Sequence, residues 1–193
     1  MNALLRLACF VFLLCPCMSY SAELPPRAVE RLRIHGIDSG SQSISQFLAN
    51  GFPVDVDYAQ MPEAPAEKCQ LLIDAMQIAG VQRYAEVFDS LEALARKTVS
   101  PGIEGMIQHD LLLATPAERS KRREQILQFL QYNAAVALSI IGDTRALPVM
   151  QTLFRAEEDP TVKSQYALGM ACLGNGSGIE HLLSEIDKAN QQS

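Results

Sequence analysis

Three histidines are the first candidates for metal binding or proton transfer in this sequence. His35, His109 and His181 are far apart along the chain, and none lies in a His-Glu-x-x-His or similar metal-ligating spacing. Asp55 and Asp57 could touch a cation, but no further oxygen ligands follow them at the spacing of a calcium loop. These patterns predict no metal site and no cofactor. Histidines that are solvated or lie at the edge of the core are the better interpretation.

The next candidates are motifs for nucleophilic or phosphate chemistry. The sequence contains no Gly-x-Ser-x-Gly elbow, phosphate-binding loop or dinucleotide fingerprint. The glycine-rich stretch Gly174–Gly178 falls between two helical patterns, so a turn is the better interpretation than a phosphate cradle. We identify no catalytic residue, and the sequence does not predict an enzyme.

The charge balance bears on the class of partner. The chain has 16 Lys and Arg against 22 Asp and Glu, a net charge of −6, whereas a nucleic-acid binder would be basic. A glutamate, Glu118, precedes its basic cluster and lies four residues before Arg122, a favourable pair on one helix face. We therefore expect a solvated helix face and no nucleic-acid partner. The cluster consists of Arg119, Lys121, Arg122 and Arg123.

The N-terminus has the pattern of a secretory signal peptide. Arg6 precedes the apolar run Leu7–Leu14, and the small residues Ser21 and Ala22 follow as a cleavage region. The run is shorter than the roughly 20 apolar residues that a membrane-spanning helix needs. We therefore predict a signal peptide at residues 1–22, a periplasmic or secreted chain, and no transmembrane segment after cleavage. An uncleaved membrane anchor is the alternative.

Two cysteines, Cys69 and Cys172, follow the predicted signal peptide. Two cysteines are far from a disulfide-dense scaffold, and both lie in apolar stretches with a helical pattern. We expect both to be small buried apolar side chains.

An internal repeat organises the rest of the chain. Three apolar stretches end at Gly80, Gly142 and Gly174, and each glycine is followed by a second helical pattern. Gly142 and Gly174 are 32 residues apart, and Gly80 lies 62 residues before Gly142, which leaves room for one degenerate unit. The glycines suit the left-handed position that ends a helix. The sequence therefore predicts an all-α fold built from helix pairs.

Helix starts are marked by a capping side chain followed by proline. Ser100-Pro101, Thr115-Pro116 and Asp159-Pro160 each place such a pair before an apolar pattern, and Glu118 completes a capping box with Thr115. A long helix after Thr115 is predicted to bury one stripe. Its members are Ile126, Phe129, Leu130, Ala134, Ala137, Leu138 and Ile141.

The region before the repeat is less regular. Pro53 to Pro65 reads as a loop, and short helices are predicted at Arg27–His35 and Ser43–Asn50. We therefore divide the chain into a signal peptide at 1–22, an N-terminal cap and loop at 23–65, and a helical repeat domain at 66–193.

The repeat resembles a known family. Ala134–Leu138, the turn Gly142–Pro148 and the start Asp159–Lys163 resemble HEAT repeats, particularly the short type of the phycobilin lyases. The resemblance is closest over residues 126–187, weaker over 66–97 and absent before residue 53. It implies an α-solenoid that binds proteins or peptides, in which residues such as Asp143 and Arg145 tie neighbouring turns together. It does not imply lyase activity.

The predicted function follows from this resemblance. We expect an exported adaptor or scaffold that binds a protein or peptide, with an enzyme or metal-binding envelope protein using an unrecognised site as the alternative. The second helix of each unit would line the contact surface. The predicted partner-binding residues are Glu86, Ser90, Gln151, Arg155 and Ser184.

Overall fold

The computed structural model describes residues 24–53, 55–58, 61 and 68–191. Its regular secondary structure within these residues is entirely helical, with nine α-helices and two short 3-10 helices, which confirms the all-α prediction. The chain forms two compact units, one within residues 22–141 and one within 142–193. The predicted signal peptide lies outside the described residues.

The N-terminal unit is organised around helix α3. Eleven of the 14 residues of α3 are buried, and α3 packs against α1, α2, α5 and α6. A helix that is apolar on all sides must be covered on all sides, which explains this central position. The helices of the unit are α1 (Pro26–Ile34), α2 (Ser41–Asn50), α3 (Lys68–Val81), a 3-10 turn (Ala85–Val87), α4 (Phe88–Ala95), α5 (Pro101–Asp110) and α6 (Pro116–Ile141).

The C-terminal unit is smaller. Helix α8 packs against both α7 and α9. Only Gly178 is fully buried among the described residues of α9, so this last helix has a large free surface. The elements of the unit are a 3-10 turn (Thr144–Ala146), α7 (Leu147–Ala156), α8 (Pro160–Cys172) and α9 (Gly176–Gln191).

The predicted helix starts are confirmed. Helices α5, α6 and α8 begin at Pro101, Pro116 and Pro160. The Asp159 carboxylate accepts hydrogen bonds from the N–H groups of Thr161 and Val162, at 2.8 and 3.0 Å. Satisfying these otherwise unpaired donors is what fixes a helix N-terminus. The two short helices predicted before residue 53 are also present, as α1 and α2.

The glycine-turn prediction is confirmed twice and wrong once. Gly142 and Gly174 have φ angles of +81°, in the left-handed region. Gly80 instead lies inside α3, and Arg83 takes the left-handed position with φ of +54°. A Cβ at Gly80 would lie 3.4 Å from the Cα of Ala137 in α6, which is an ordinary van der Waals contact.

The predicted stripe of α6 is confirmed at four of its seven residues. Leu130, Ala134, Ala137 and Leu138 are buried, whereas Ile126 and Ile141 are half-buried and Phe129 is 55% exposed. The buried face of the helix continues through Leu127, three residues before Leu130. The prediction is therefore wrong at Phe129, and Leu127 takes the buried position instead.

Candidate functional site

An open trough runs along α2 in the described part of the N-terminal unit. Its deeper part, of about 550 Å³, lies within the volume range of ligand pockets. The turn after α1, helix α2, the segment that follows α2 and the start of α5 form its walls. Two compact helices and two loops of one unit therefore define the cavity.

Two glycines fix the wall between α2 and α5. Gly51 has a φ angle of +68°, and a Cβ at this position would lie 2.7 Å from the Ile103 nitrogen. A Cβ at Gly102 would lie only 2.1 Å from the Asn50 carbonyl oxygen. The Ser100 hydroxyl donates a hydrogen bond of 2.9 Å to the same oxygen. Only glycine allows the start of α5 to lie this close to the end of α2.

The floor of the deeper part is apolar and aromatic. Ile37, Phe47 and Phe52 line it and are nearly fully buried. The rings of Phe47 and Phe52 meet edge to face with centroids 5.2 Å apart, and the His35 ring lies 6.0 Å from Phe52. Such contacts hold the rings in fixed orientations. The floor therefore suits an apolar group of a ligand.

Side-chain amides form the rim. Gln46 and Asn50 are one helical turn apart on α2, and both are exposed. The Asn50 amide donates to the Gln46 carbonyl oxygen at 3.0 Å. The Gln46 amide has no protein partner among the described residues. It is therefore available to hydrogen-bond an uncharged polar group.

A shallower depression of about 390 Å³ continues the cavity towards the start of α2 and shares Ser43 and Gln46 with it. Asp38 supplies the carboxylate of this end. Its Oδ1 accepts a hydrogen bond of 2.6 Å from the Gly40 N–H, and its own N–H donates to the Ser43 hydroxyl at 3.1 Å. We call the two parts together the α2 trough.

A second group of polar residues surrounds the first turn of α3. The Asp110 carboxylate accepts hydrogen bonds from the backbone N–H groups of Lys68 and Cys69, at 3.3 and 2.9 Å. Burial raises the pKa of the Cys69 thiol well above its ordinary value, and the negative charge of Asp110 raises it further. The thiolate is the reactive form of cysteine, so Cys69 is not an activated nucleophile. Asp110 therefore serves as a long-range cap of α3.

Two aromatic rings and a lysine complete this group. The rings of Tyr58 and His109 lie with centroids 4.8 Å apart. The Lys68 side chain is fully buried, and its Nζ has no hydrogen-bond partner among the described residues. No group of three or more potential metal ligands occurs in the described part of the chain. The cluster therefore combines a helix cap with a buried lysine whose Nζ has no hydrogen-bond partner among the described residues.

The predicted partner-binding residues lie in both units. Glu86 is exposed in the 3-10 turn before α4, and Ser90 is half-buried on α4. In the C-terminal unit, Gln151 on α7 is half-buried, whereas Arg155 on α7 and Ser184 on α9 are exposed. Their joint role as one contact surface stays a prediction.

Other candidate residues have local partners. Each histidine packs beside an aromatic ring: His35 on Phe52, His109 on Tyr58 and His181 on Phe154. In the basic cluster, Arg119, Lys121 and Arg122 are exposed, Glu118 lies 3.6 Å from Arg122, and Arg123 lies 2.7 Å from Glu104. Asp55 and Asp57 are exposed.

The Gly-Asp turn at Gly142 is tied locally. The Asp143 carboxylate accepts a hydrogen bond of 2.9 Å from the Arg145 N–H and one of 2.6 Å from its guanidinium group. These bonds hold the pKa of Asp143 below its ordinary value. These contacts join residues of one turn, and the tie between neighbouring turns that the resemblance implies stays a prediction.

Sequence reasoning missed the α2 trough and the buried ion pair between Arg31 and Asp74. The guanidinium group of Arg31 bonds both carboxylate oxygens of Asp74, at 2.6 and 2.7 Å, and the Gln70 amide donates to Asp74 at 3.1 Å. Asp74 is fully buried inside an apolar helix pattern, which is the signal that could have predicted a distant partner.

Comparisons with protein-family models, with curated proteins and with solved structures found no match. Within the residues that the structure describes, no helix is both long enough and apolar enough to cross a membrane.

Proposed function

We propose that this chain is an exported adaptor that binds a protein or peptide partner. The observation that supports this proposal most is the α2 trough, with its buried aromatic floor and exposed amide rim. An apolar cavity with a few polar groups at its edge is the usual form of a recognition site. The Asp110 carboxylate caps α3 and Asp74 pairs with Arg31, which gives these two carboxylates structural roles.

The repeat architecture is part of the same proposal. The left-handed turns at Gly142 and Gly174 and the cap at Asp159 support this part of the proposal. We propose that such pairs stack as a solenoid, because a single pair cannot bury its apolar face alone. Small-angle X-ray scattering should give an elongated particle. A radius of gyration of about 16 Å, which is typical of a compact globular chain with this number of residues, would contradict the stacking.

Photocrosslinking in the living cell tests the adaptor function. A benzoylphenylalanine replaces Gln46 in the trough, Arg155 on the predicted solenoid surface, or the exposed Gln128 of α6 as a control. We expect the same adducts to recur from Gln46 or from Arg155, and none from Gln128. The absence of adducts from both Gln46 and Arg155 would contradict the proposal.

Metal analysis of the purified chain separates this function from the alternative. An adaptor that works through the α2 trough has no need of a metal ion. A stoichiometric transition metal that survives dialysis would favour a metal-binding envelope protein.

A further inference from the structure

Two adjacent leucines are held in solvent at the turn between α5 and α6. Leu113 is 81% exposed and Leu112 is 59% exposed, whereas Leu111 and Ala114 on either side of them are buried. The Ala114 N–H donates a hydrogen bond of 3.0 Å to the Leu111 carbonyl oxygen, which closes the turn. The turn is therefore anchored at both ends, and the two leucines cannot reach the core without breaking it.

Positive charge lies beside these leucines. The Arg119 guanidinium group donates a hydrogen bond of 3.2 Å to the Ala114 carbonyl oxygen, which places it against the same turn. Arg122 lies three residues further along α6 and therefore on the same side of the helix. Lys121 is also exposed. Three basic residues and one acidic residue give residues 112–122 a net charge of +2, in a chain whose net charge is −6. We call residues 112–122 the leucine–arginine segment.

Little of the leucine–arginine segment is covered by the rest of the chain. Every residue from 115 to 122 is exposed, and Ala114 is the one buried residue of the segment. The first buried residue of α6 is Leu127, so the first three turns of this helix bury no side chain fully. The leucines and the basic side chains are therefore accessible to the same external surface.

An anionic lipid bilayer matches this combination. Apolar side chains that enter the boundary between headgroups and acyl chains leave water, and nearby basic side chains are attracted to the lipid phosphates. A stable protein interface buries about 800 Å² on each partner, which two leucines cannot supply. A membrane requires no such area, because a few inserted side chains and electrostatic attraction act together.

We propose that the leucine–arginine segment docks on an anionic membrane surface. Leu112 and Leu113 enter the headgroup boundary, Arg119 and Arg122 contact lipid phosphates, and Lys121 adds to the attraction. This inference goes beyond the adaptor function and does not rest on it, since it concerns where the chain is held and not which protein it binds. Its failure would leave the crosslinking test of the adaptor unchanged.

Tryptophan fluorescence tests the docking on the full chain. The sequence contains no tryptophan, so Leu113→Trp introduces a single reporter in the segment. Leu183→Trp is the matched control, at an exposed leucine of α9. With vesicles of phosphatidylglycerol and phosphatidylcholine, we expect the emission of Leu113→Trp to shift to the blue and to be quenched by brominated lipid. The emission of Leu183→Trp should not change. Both variants carry the same N-terminal apolar run, so a difference between them reports the segment.

The role of charge is tested in the Leu113→Trp background. Arg119→Gln combined with Arg122→Gln should lower partition into the anionic vesicles about tenfold to thirtyfold. Arg33→Gln combined with Lys188→Gln removes the same charge from other exposed positions and should change partition less than about twofold. Vesicles of phosphatidylcholine alone should give a much weaker shift. Equal partition of the two double variants would overturn the assignment of the arginines.

The natural leucines need a separate variant, because tryptophan itself favours membrane interfaces. Leu112→Ser in the Leu113→Trp background should lower partition about tenfold. No blue shift for Leu113→Trp, or an equal shift for Leu183→Trp, would overturn the membrane as the occupant.

A second copy of the chain is the other occupant that the experiment separates. Sedimentation velocity compares the natural chain with Leu113→Ser, and we expect the same sedimentation coefficient for both. Self-association that Leu113→Ser abolishes, without a vesicle-dependent shift of Leu113→Trp, would overturn the proposal and assign the leucines to a contact between copies.

Discussion

The two units differ in what their polar side chains connect. In the N-terminal unit, Arg31 and Asp74 form an ion pair across 43 residues of sequence. In the C-terminal unit, the side chains of Asp143, Asp159 and Asn175 accept from N–H groups no more than three residues further along the chain. The first kind of contact holds separate helices together. The second kind fixes where a single helix begins.

The two units also differ in how much of their helices is buried. The central helix of the N-terminal unit, α3, has eleven buried residues, whereas α9 has one fully buried residue, Gly178, in its described part. Ile179 and Leu183 of α9 are 49% and 56% exposed. We infer that single side chains contribute more to the stability of the N-terminal unit than to that of the C-terminal unit.

A large effect is expected at the partly buried ion pair between Arg31 and Asp74. Arg31→Leu leaves the fully buried carboxylate of Asp74 without its cation and should lower the free energy of unfolding by about 3 kcal/mol. Arg145→Leu is the matched change in the C-terminal unit, where the pair with Asp143 is exposed, and should cost about 1 kcal/mol or less. Urea denaturation followed by circular dichroism measures both. Equal costs would contradict the comparison.

Leucine truncation compares the two cores. Leu138 of α6 is fully buried, so Leu138→Ala should lower the free energy of unfolding by about 2 to 5 kcal/mol. Leu183→Ala on α9 should change it by less than about 0.5 kcal/mol, because the side chain is mostly exposed. A small effect at Leu138 would place the buried stripe of α6 on the wrong face.

Glycine substitution should have opposite signs in the two units. A Cβ at Gly178 would lie 2.4 Å from the Ala167 carbonyl oxygen, so Gly178→Ala should destabilise the chain by about 1 to 3 kcal/mol. At Gly80 the nearest atom would be 3.4 Å away, and alanine favours the helix, so Gly80→Ala should be neutral or stabilise by up to about 1 kcal/mol. Thermal unfolding of the two variants shows the sign directly. Destabilisation by Gly80→Ala would mean that α3 and α6 tolerate no added methyl group.

The smallest expected effect depends on pH. The guanidinium group of Arg123 and then the Gln108 amide hold the pKa of Glu104 below its ordinary value of 4.5. A carboxyl group whose pKa is lowered by folding stabilises the chain above pH 4.5, and this contribution is lost as the pH falls through the lowered value. Glu104→Gln should therefore cost up to about 1 kcal/mol at neutral pH and less in acid. Glu185→Gln in the C-terminal unit, where the pair with Lys188 is more exposed, should have a smaller effect at neutral pH.

Local chemistry explains what the sequence could predict. The helix starts at Pro101 and Pro160 and the left-handed turn at Gly142 depend on residues within one turn of the chain, so their patterns are visible in the sequence. The prediction at Gly80 is wrong because the residues after it differ from those after Gly142. Asp143 follows Gly142 and caps the next turn, whereas Val81 follows Gly80 and continues α3.

The candidate site could not be predicted in the same way. The α2 trough exists because Gly102 lies against the Asn50 carbonyl oxygen and Ser100 bonds to it, a contact between positions about 50 residues apart. Neither Ser100 nor Gly102 has a neighbour in sequence that signals a cavity. The prediction of a polar surface at residues such as Arg155 depends on helical periodicity alone, which is visible in the sequence.

Because the Asp110 carboxylate caps α3, the reactivity of the Cys69 thiol can report local opening of this helix. The cysteine thiolate attacks alkylating reagents, and both burial and Asp110 disfavour that form at Cys69. Modification of Cys69 under native conditions therefore requires the first turn of α3 to separate from Asp110. The alkylation rate of the Cys69 thiol therefore depends on how often this turn opens. It measures local fraying of α3, the central helix of the N-terminal unit, while the rest of the chain stays folded.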